Sequence, residues 1–384
     1  MPGNEREQGS ADDPGWSWVD TADGLAQLLD RIGREPRFAL DTESNSMHAY
    51  RERICLIQVS IPGLDVLVDP LAVDIRPLGA LLANPDIEKV MHGADYDILC
   101  FKREHEFSFA GLYDTMIAAR VLGWSGYGLG AILGERYDFK ANKKMQRFDW
   151  GQRPLPDHAL DYARYDTHFL LDLREQQRAE LVEAERLEDL EHACQRQTRV
   201  EPRPTKAQLL GMWRIKGVRD LPGPAKGIFA ALYDLREAVA REIDRPVFRV
   251  MADAVMLSLA QAPPKDEGAL ARVNGMHPRL RGRGRARILA AIKAGQQAAP
   301  PKPPPRERGA PREQVARFDR LRAWRKALAA ERGLEPDVIL GKDSLMVVAE
   351  TDPRDEAQLR ASGALDDWEF GRYGASLLEA LQQG

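Results

Sequence analysis

Ile54-Cys-Leu-Ile-Gln-Val-Ser-Ile61 has only two polar residues in eight. A strand apolar on both faces must be covered on both, which requires helices above and below its sheet. Arg37–Glu43 and Val66–Asp69 read as further strands, the second stopped by Pro70. The pattern then predicts a helix over Arg76–Ala83, a short strand at Lys89–His92 and helices near Asp95–His105 and Asp114–Gly123. A long helix follows from about Pro156 to Leu187. Strands in succession, then alternation with helices, predict an α/β domain over residues 16–195, a mixed sheet with flanking helices. Residues 1–15 are polar and acidic, lack the basic flank and apolar stretch of a secretion signal, and are expected to be disordered.

Beyond Lys206 helical periodicity takes over. Two stretches resemble each other at an offset of 90: Pro246 matches Pro336, Asp253 matches Asp343, and Met256 matches Met346. Each has a basic amphipathic helix before its proline, Leu232–Glu242 and Leu321–Arg332. Six prolines between Ala298 and Pro311 exclude a regular helix there. The expectation is two small all-α domains, 205–296 and 313–384, joined by a Pro-rich linker over 297–312. Gly223 and Gly227 are expected in a loop.

No run approaches the ~18 apolar residues of a membrane span. Cys55, Cys100 and Cys194 lie far apart with no CxxC spacing, so they read as buried apolar filler. A cytoplasmic protein without membrane contact is expected. Net charge is −4, but phosphate binding depends on local stripes rather than the sum. Lys140, Lys143, Lys144, Arg147 and Arg153 face Asp149 alone, and Arg272, Arg279, Arg281, Arg283, Arg285, Arg287 and Lys293 form an acid-free stretch. The matching end of the second repeat is acidic, with Glu350, Asp352, Asp355, Glu356, Asp366, Asp367 and Glu369.

Asp41 and Glu43 are two apart on a strand and share a face. Adjacent carboxylates raise each other's pKa unless a cation is shared. Tyr162 and Asp166 are four apart on a helix and project together. Asp97 stands where a short strand turns into a helix, with Asp95 the better cap for that helix. Asp114 is expected to cap the next one, and His92 to be buried and hydrogen-bonded. Gly341-Lys-Asp-Ser lacks the upstream glycine of a phosphate loop, so no nucleotide cofactor is expected.

Leu40-Asp-Thr-Glu43, His92-Gly-Ala-Asp-Tyr-Asp97 and Tyr162-Ala-Arg-Tyr-Asp166, in that order, resemble the three exonuclease motifs of the DEDD superfamily. Tyrosine four residues before the last acid marks the DEDDy branch. Gln146-Arg-Phe-Asp-Trp150 followed by Arg153-Pro-Leu155 is similar to the segment ahead of the third motif in ribonuclease D, and the tandem repeats resemble HRDC domains. Ser44 departs from the pattern, since many ribonuclease D sequences carry an aromatic residue there.

The resemblance implies a ribonuclease H-like fold and a metal-dependent 3′→5′ exoribonuclease releasing nucleoside monophosphates. Its partner would be RNA with a free 3′ end, tRNA precursors foremost. Asp41, Glu43, Asp97 and Asp166 would hold two Mg²⁺ or Mn²⁺ ions, and Tyr162 would position the attacking water. Four carboxylates are charge-balanced by two divalent cations, and hard oxygen donors suit such ions. Lys140, Lys143, Lys144 and Arg147, with Arg279, Arg281, Arg283, Arg285 and Arg287, are candidate RNA contacts. The second repeat would pack on the nuclease domain or a basic partner, or close a ring, so its deletion from Pro311 onward should leave RNA binding unchanged. A DNA exonuclease and an inactive nucleic-acid-binding adaptor are the alternatives.

Overall fold

Ile54–Ile61 forms β3 and is buried at every position within a six-stranded sheet. The computed structural model describes residues 16–140, 143–204, 209–305 and 309–382; the side chains of Lys143 and Lys144 and the expected disorder of 1–15 lie outside the description. The strand order is β1 (Trp16–Val19), β4 (Leu64–Val68), β3, β2 (Arg37–Ser44), β5 (Glu88–Met91) and β6 (Leu112–Asp114). β3 is antiparallel to both of its neighbours, while the β1–β4, β2–β5 and β5–β6 pairs are parallel. The mixed sheet matches the expectation. Its edge strands β1 and β6 do not show in the sequence pattern, because four and three residues are too few to display a period.

Among the described residues three helices lie between these strands, α1 (Ala22–Ile32), α2 (Leu78–Ala83) and α3 (Asp95–His105), and five follow β6: α4 (Thr115–Leu122), α5 (Leu129–Arg136), α6 (Asp157–His168), α7 (Leu170–Glu183) and α8 (Leu187–Thr198). α1, α2 and α3 bury Leu28, Leu82 and Phe101 with Phe38, Leu40 and Ile57 of the sheet. α6 packs Ala159, Leu160 and Ala163 on Leu56 and Leu67 with Trp150. α4, α7 and α8 join Ala39 and Val90 in a third cluster. All three cysteines are buried thiols, as expected.

Two sequence expectations need correction. The single helix from Pro156 to Leu187 is divided at Phe169, because α6 packs on β2, β3 and β4 whereas α7 packs on α4 and β5. Phe169 turns into an aromatic group, with ring centroids 4.8 Å from Tyr137 and 5.4 Å from Phe139. Gly223 and Gly227 are helical, in Gly223–Glu242. A Cβ on Gly227 would meet the Gly295 carbonyl oxygen at 2.3 Å, so glycine there permits a close helix crossing rather than a loop.

The repeat is real in three dimensions. Each copy runs from a long helix (Gly223–Glu242, Arg312–Arg332) through a short turn to a middle helix (Asp253–Gln261, Lys342–Thr351) and a final one (Arg285–Gln297, Asp367–Gln382). Asp266 and Asp355 cap equivalent short helices. The match is not residue-perfect: Met256 is fully buried and Met346 is exposed. Among the described residues no helix is long and apolar enough to cross a membrane.

Candidate active site

β5 pairs with β2 only from Arg37 to Ala39, while β3 stays paired to it as far as Ser44. The end of β2 therefore overhangs its parallel neighbour, and Asp41 and Glu43 share one face of that overhang. The chain leaves β5, turns through Gly93 in the left-handed region (φ +69°), and enters α3, whose first turn carries Asp97. Asp114 fixes this turn. Its carboxylate accepts from Gly93 N at 2.9 Å and Ala94 N at 2.8 Å, and from Met116 N at 2.8 Å and Ile117 N at 3.2 Å at the start of α4. Asp114 is the cap of α4, as expected, whereas α3 has no side-chain cap: Asp95 is its first residue, its carboxyl pushed upward mainly by burial. α6 crosses β2, β3 and β4 and brings Tyr162 and Asp166 to the same place.

The four acids feel one another. Burial and the charges of Asp97, Asp166 and Glu43 hold Asp41 well above the usual carboxylate range, and Glu43 is raised by burial and by Asp166 and Asp97. Asp166 is pushed up to about 7 by burial and Asp97. Asp97 reaches only about 6, since burial is partly offset by a hydrogen bond from the Thr42 hydroxyl. No three of these acids bring one ligand atom each within 4.8 Å of one another. Partly buried, mutually repelling oxygen donors fit divalent cations, which remove the repulsion. Tyr162 is half-buried among these acids, and burial followed by the charges of Asp166, Glu43 and Asp41 raises its phenol. His92 donates or accepts at Nδ1 with Thr115 Oγ1 at 2.9 Å; burial lowers its pKa, so it is neutral at pH 7.

Of the basic candidates, Lys140 and Arg147 are exposed, and the Arg147 carbonyl accepts from His48 Nε2 at 3.0 Å. Arg153 is not available to phosphate: it holds Asp69 by two 2.6 Å hydrogen bonds and the Cys55 carbonyl by a third. In the first repeat Arg279, Arg281, Arg283 and Arg287 are exposed and Arg285 half-buried. Arg281 donates to the Met276 carbonyl and Arg287 pairs with Glu242 at 3.0 Å. A groove of about 700 Å³ between the two domains is lined by His48, Asp149, Arg245, Arg249, His277 and Arg281. Sequence reasoning missed Thr42, and also Glu52, which accepts from Ser44 and Tyr96. Neither has a local spacing signal.

Residues 16–181 match the 3′-5′ exonuclease family, and residues 225–292 and 314–381 each match the HRDC domain. The ribonuclease D of Jannaschia sp. is 31% identical over 342 residues, covering 86% of this chain and 88% of that protein. The chain belongs to the ribonuclease D family. Its residues 16–181 form a domain of the 3′-5′ exonuclease family. The exosome complex exonuclease RRP6 of Saccharomyces cerevisiae is 31% identical over 292 residues, 72% of this chain, which spans 40% of that relative's length. The crystal structure of Escherichia coli RNase D superposes with a TM-score of 0.65 over 96% of this chain and 99% of that one; at 22% identity it shows the shared fold.

Proposed function

We propose that this chain is a metal-dependent 3′→5′ exoribonuclease that releases nucleoside monophosphates from the 3′ ends of structured RNA, tRNA precursors among them. The observation that carries the reading is the gathering of buried Asp97 and half-buried Asp41, Glu43 and Asp166, mutually repelling, beside a tyrosine. Two divalent ions, Mg²⁺ or Mn²⁺, would be held by these four carboxylates and would stabilise charge developing on the phosphate oxygens. Water adds to the terminal phosphorus as the bond to the preceding 3′ oxygen breaks, and that oxygen takes up a proton. Tyr162 would orient the water first and accept its proton second, since burial raises its phenol and a phenol is a poor base at neutral pH.

The RNA strand would be held by Lys140, Lys143, Lys144 and Arg147 and by Arg279, Arg281, Arg283, Arg285 and Arg287. The position of Arg281 in a groove that also includes His48 and Asp149 of the nuclease domain supports one strand touching both domains. The name of the Jannaschia relative favours RNA over DNA. The test presents 5′-labelled RNA and DNA strands of one sequence, with free or blocked 3′ ends, with and without EDTA. Stepwise shortening of RNA with a free 3′ end, stopped by EDTA, is expected. Preference for DNA would establish the DNA exonuclease, and binding without shortening the inactive adaptor.

A further inference from the structure

We propose that Gln58 positions Asp41: its side-chain amide donates a hydrogen bond to the Asp41 carboxylate and fixes the direction in which that carboxylate meets a divalent ion. The proposal rests on the metal-dependent reading and adds a residue outside the four acids. Only Gln58 and Ser60 are polar in β3. Ser60 is fully engaged, its hydroxyl 2.7 Å from Asp65 and 2.8 Å from the Thr167 hydroxyl. Gln58 is 0% exposed, and neither its Nε2 nor its Oε1 has a hydrogen-bond partner. Among the described residues no other buried side chain leaves two polar atoms unpaired. An amide in that condition is costly, and methionine or leucine would fill the same space without the cost.

The sheet register places a fitting partner beside it. Gln58 stands directly opposite Asp41 across the β2–β3 ladder and opposite Leu67 across the β3–β4 ladder. Directly opposed residues of antiparallel strands point to one face with Cβ atoms about 4.5–5.5 Å apart, within reach of a long side chain. On the Leu67 side that face is apolar, since Leu56 and Leu67 pack with Trp150, Ala159 and Ala163. On the Asp41 side it carries the acids. Asp97 has a side-chain donor in the Thr42 hydroxyl, whereas the hydrogen bond to Asp41 comes from the Thr42 backbone. A buried donor without an acceptor thus adjoins a carboxylate without a side-chain donor, and at this spacing a side-chain rotation suffices to close the pair. A carboxylate only accepts, so Nε2 is the end of the amide that serves Asp41. A ligating carboxylate held by such a bond presents its other oxygen in one direction, as an ion-binding site requires.

The test takes the full chain through EDTA and titrates it calorimetrically with Mn²⁺ alone, without nucleic acid. Gln58→Met should weaken Mn²⁺ binding roughly 10- to 100-fold, the usual cost of removing a group that orients a metal ligand. Its melting temperature before Mn²⁺ is added should equal or exceed that of wild type, because an apolar chain of similar length replaces an unpaired amide. A double-mutant cycle separates positioning from general disturbance. In the Asp41→Asn background, adding Gln58→Met should change Mn²⁺ affinity by less than about twofold, and a full second loss overturns the assignment. Should Gln58→Met not fold, wild type answers by itself. With glutamine side chains labelled with ¹⁵N, the Gln58 amide pair is identified by its absence from Gln58→Glu, which keeps the shape. That pair should shift when Mg²⁺ is added to wild type and stay unmoved in Asp41→Asn. A pair that ignores Mg²⁺ in wild type, or answers it equally in Asp41→Asn, overturns the proposal. Wild type that binds no Mn²⁺ sinks the metal-dependent reading and the proposal with it. Wild type that binds Mn²⁺, with Gln58→Met its equal, sinks the proposal alone.

Discussion

The two helical repeats share one plan and meet the nuclease domain in opposite ways. The first has a core of its own, built around Phe229, Leu232, Val250 and Met256. It touches the nuclease mainly through polar groups. Tyr50 N donates to Asp244 and the Tyr50 hydroxyl to Glu237, Arg53 reaches Asp244, and Arg245 donates to the His48 carbonyl. The second repeat has no separate core: Leu321, Ile339, Leu345 and Leu377 join Ala118, Val121, Leu190 and Cys194 of the nuclease in one cluster. Arg332 pairs with buried Asp189 at 2.7 Å and Arg120 with Asp337 at 2.5 Å. The acidity that distinguishes this repeat is partly spent on the interface, since Asp366 meets His192 and Arg199, and Glu369 meets Arg196. His192, Asp366 and Glu369 bring ligand-type atoms within 4.8 Å of one another, but all three are engaged in these pairs and in the reciprocal capping of Asp366 and Glu369. Of the three placements expected for the second repeat, the structure shows packing on the nuclease domain. A fused core makes it part of that domain's stability, whereas the first repeat is free to serve a ligand.

The sharpest way to separate activity from docking is to change the acids, which touch neither repeat. Asp41→Asn, Glu43→Gln, Asp97→Asn and Asp166→Asn should each nearly abolish hydrolysis. The metal-free melting temperature should hold or rise, because each change removes a repelling charge. Near-wild-type turnover in Mg²⁺ for any one would remove that residue from the ligand set.

Deletion from Pro311 onward should next reveal the asymmetry. The charge pattern predicts unchanged RNA binding, while the fused core predicts a stability loss of several kcal/mol, as ~1.5–3 kcal/mol attends each large apolar side chain re-exposed. Thermal unfolding monitored by circular dichroism measures this. An unchanged melting temperature would break the comparison outright.

Charge reversal in the first repeat should act on RNA and leave stability alone. Arg281→Glu, Arg283→Glu and Arg285→Glu together should weaken binding and flatten its salt dependence, by about 0.7 in slope for each phosphate no longer neutralised. Titration of labelled RNA at several salt concentrations reads both. A slope equal to wild type would place the strand elsewhere.

The smallest effect concerns pH. Asp97 at about 6 and Asp166 at about 7 lie above the ~3.9 of an unfolded carboxyl. The fold therefore holds protons that the unfolded chain has released. The stability this confers is complete below the unfolded value and is lost as pH rises through 6 and 7. Metal-free protein should melt lower at pH 8 than at pH 6, with a smaller difference in Asp166→Asn. An identical difference in that variant would assign the protons to other groups.

Much of the nuclease site is legible in the chain because its spacings are local. Asp41 and Glu43 obey the period of a strand, and Tyr162 and Asp166 that of a helix. What escapes is partnership at a distance. Arg153 counts as a free cation in a run of basic residues, yet its charge is absorbed by Asp69, 84 positions away. Gly227 reads as a loop residue until Gly295 is laid against it. The ends of α6 and α7 are invisible because one periodic stretch serves two different packing surfaces, and the tethering of Tyr96 by Glu52 crosses 44 positions.

Asp114 has one further consequence. A single carboxylate receives the N–H groups of the turn that aims Asp97 and of the first turn of α4, the helix whose far side seats the second repeat. The two segments are rivets in one plate. Tilting α4 must carry the Asp97 turn along with it or break hydrogen bonds to a charged group, each worth about 1.5–3 kcal/mol. The seating of the chain's last domain and the aim of a carboxylate near its beginning are one mechanical setting.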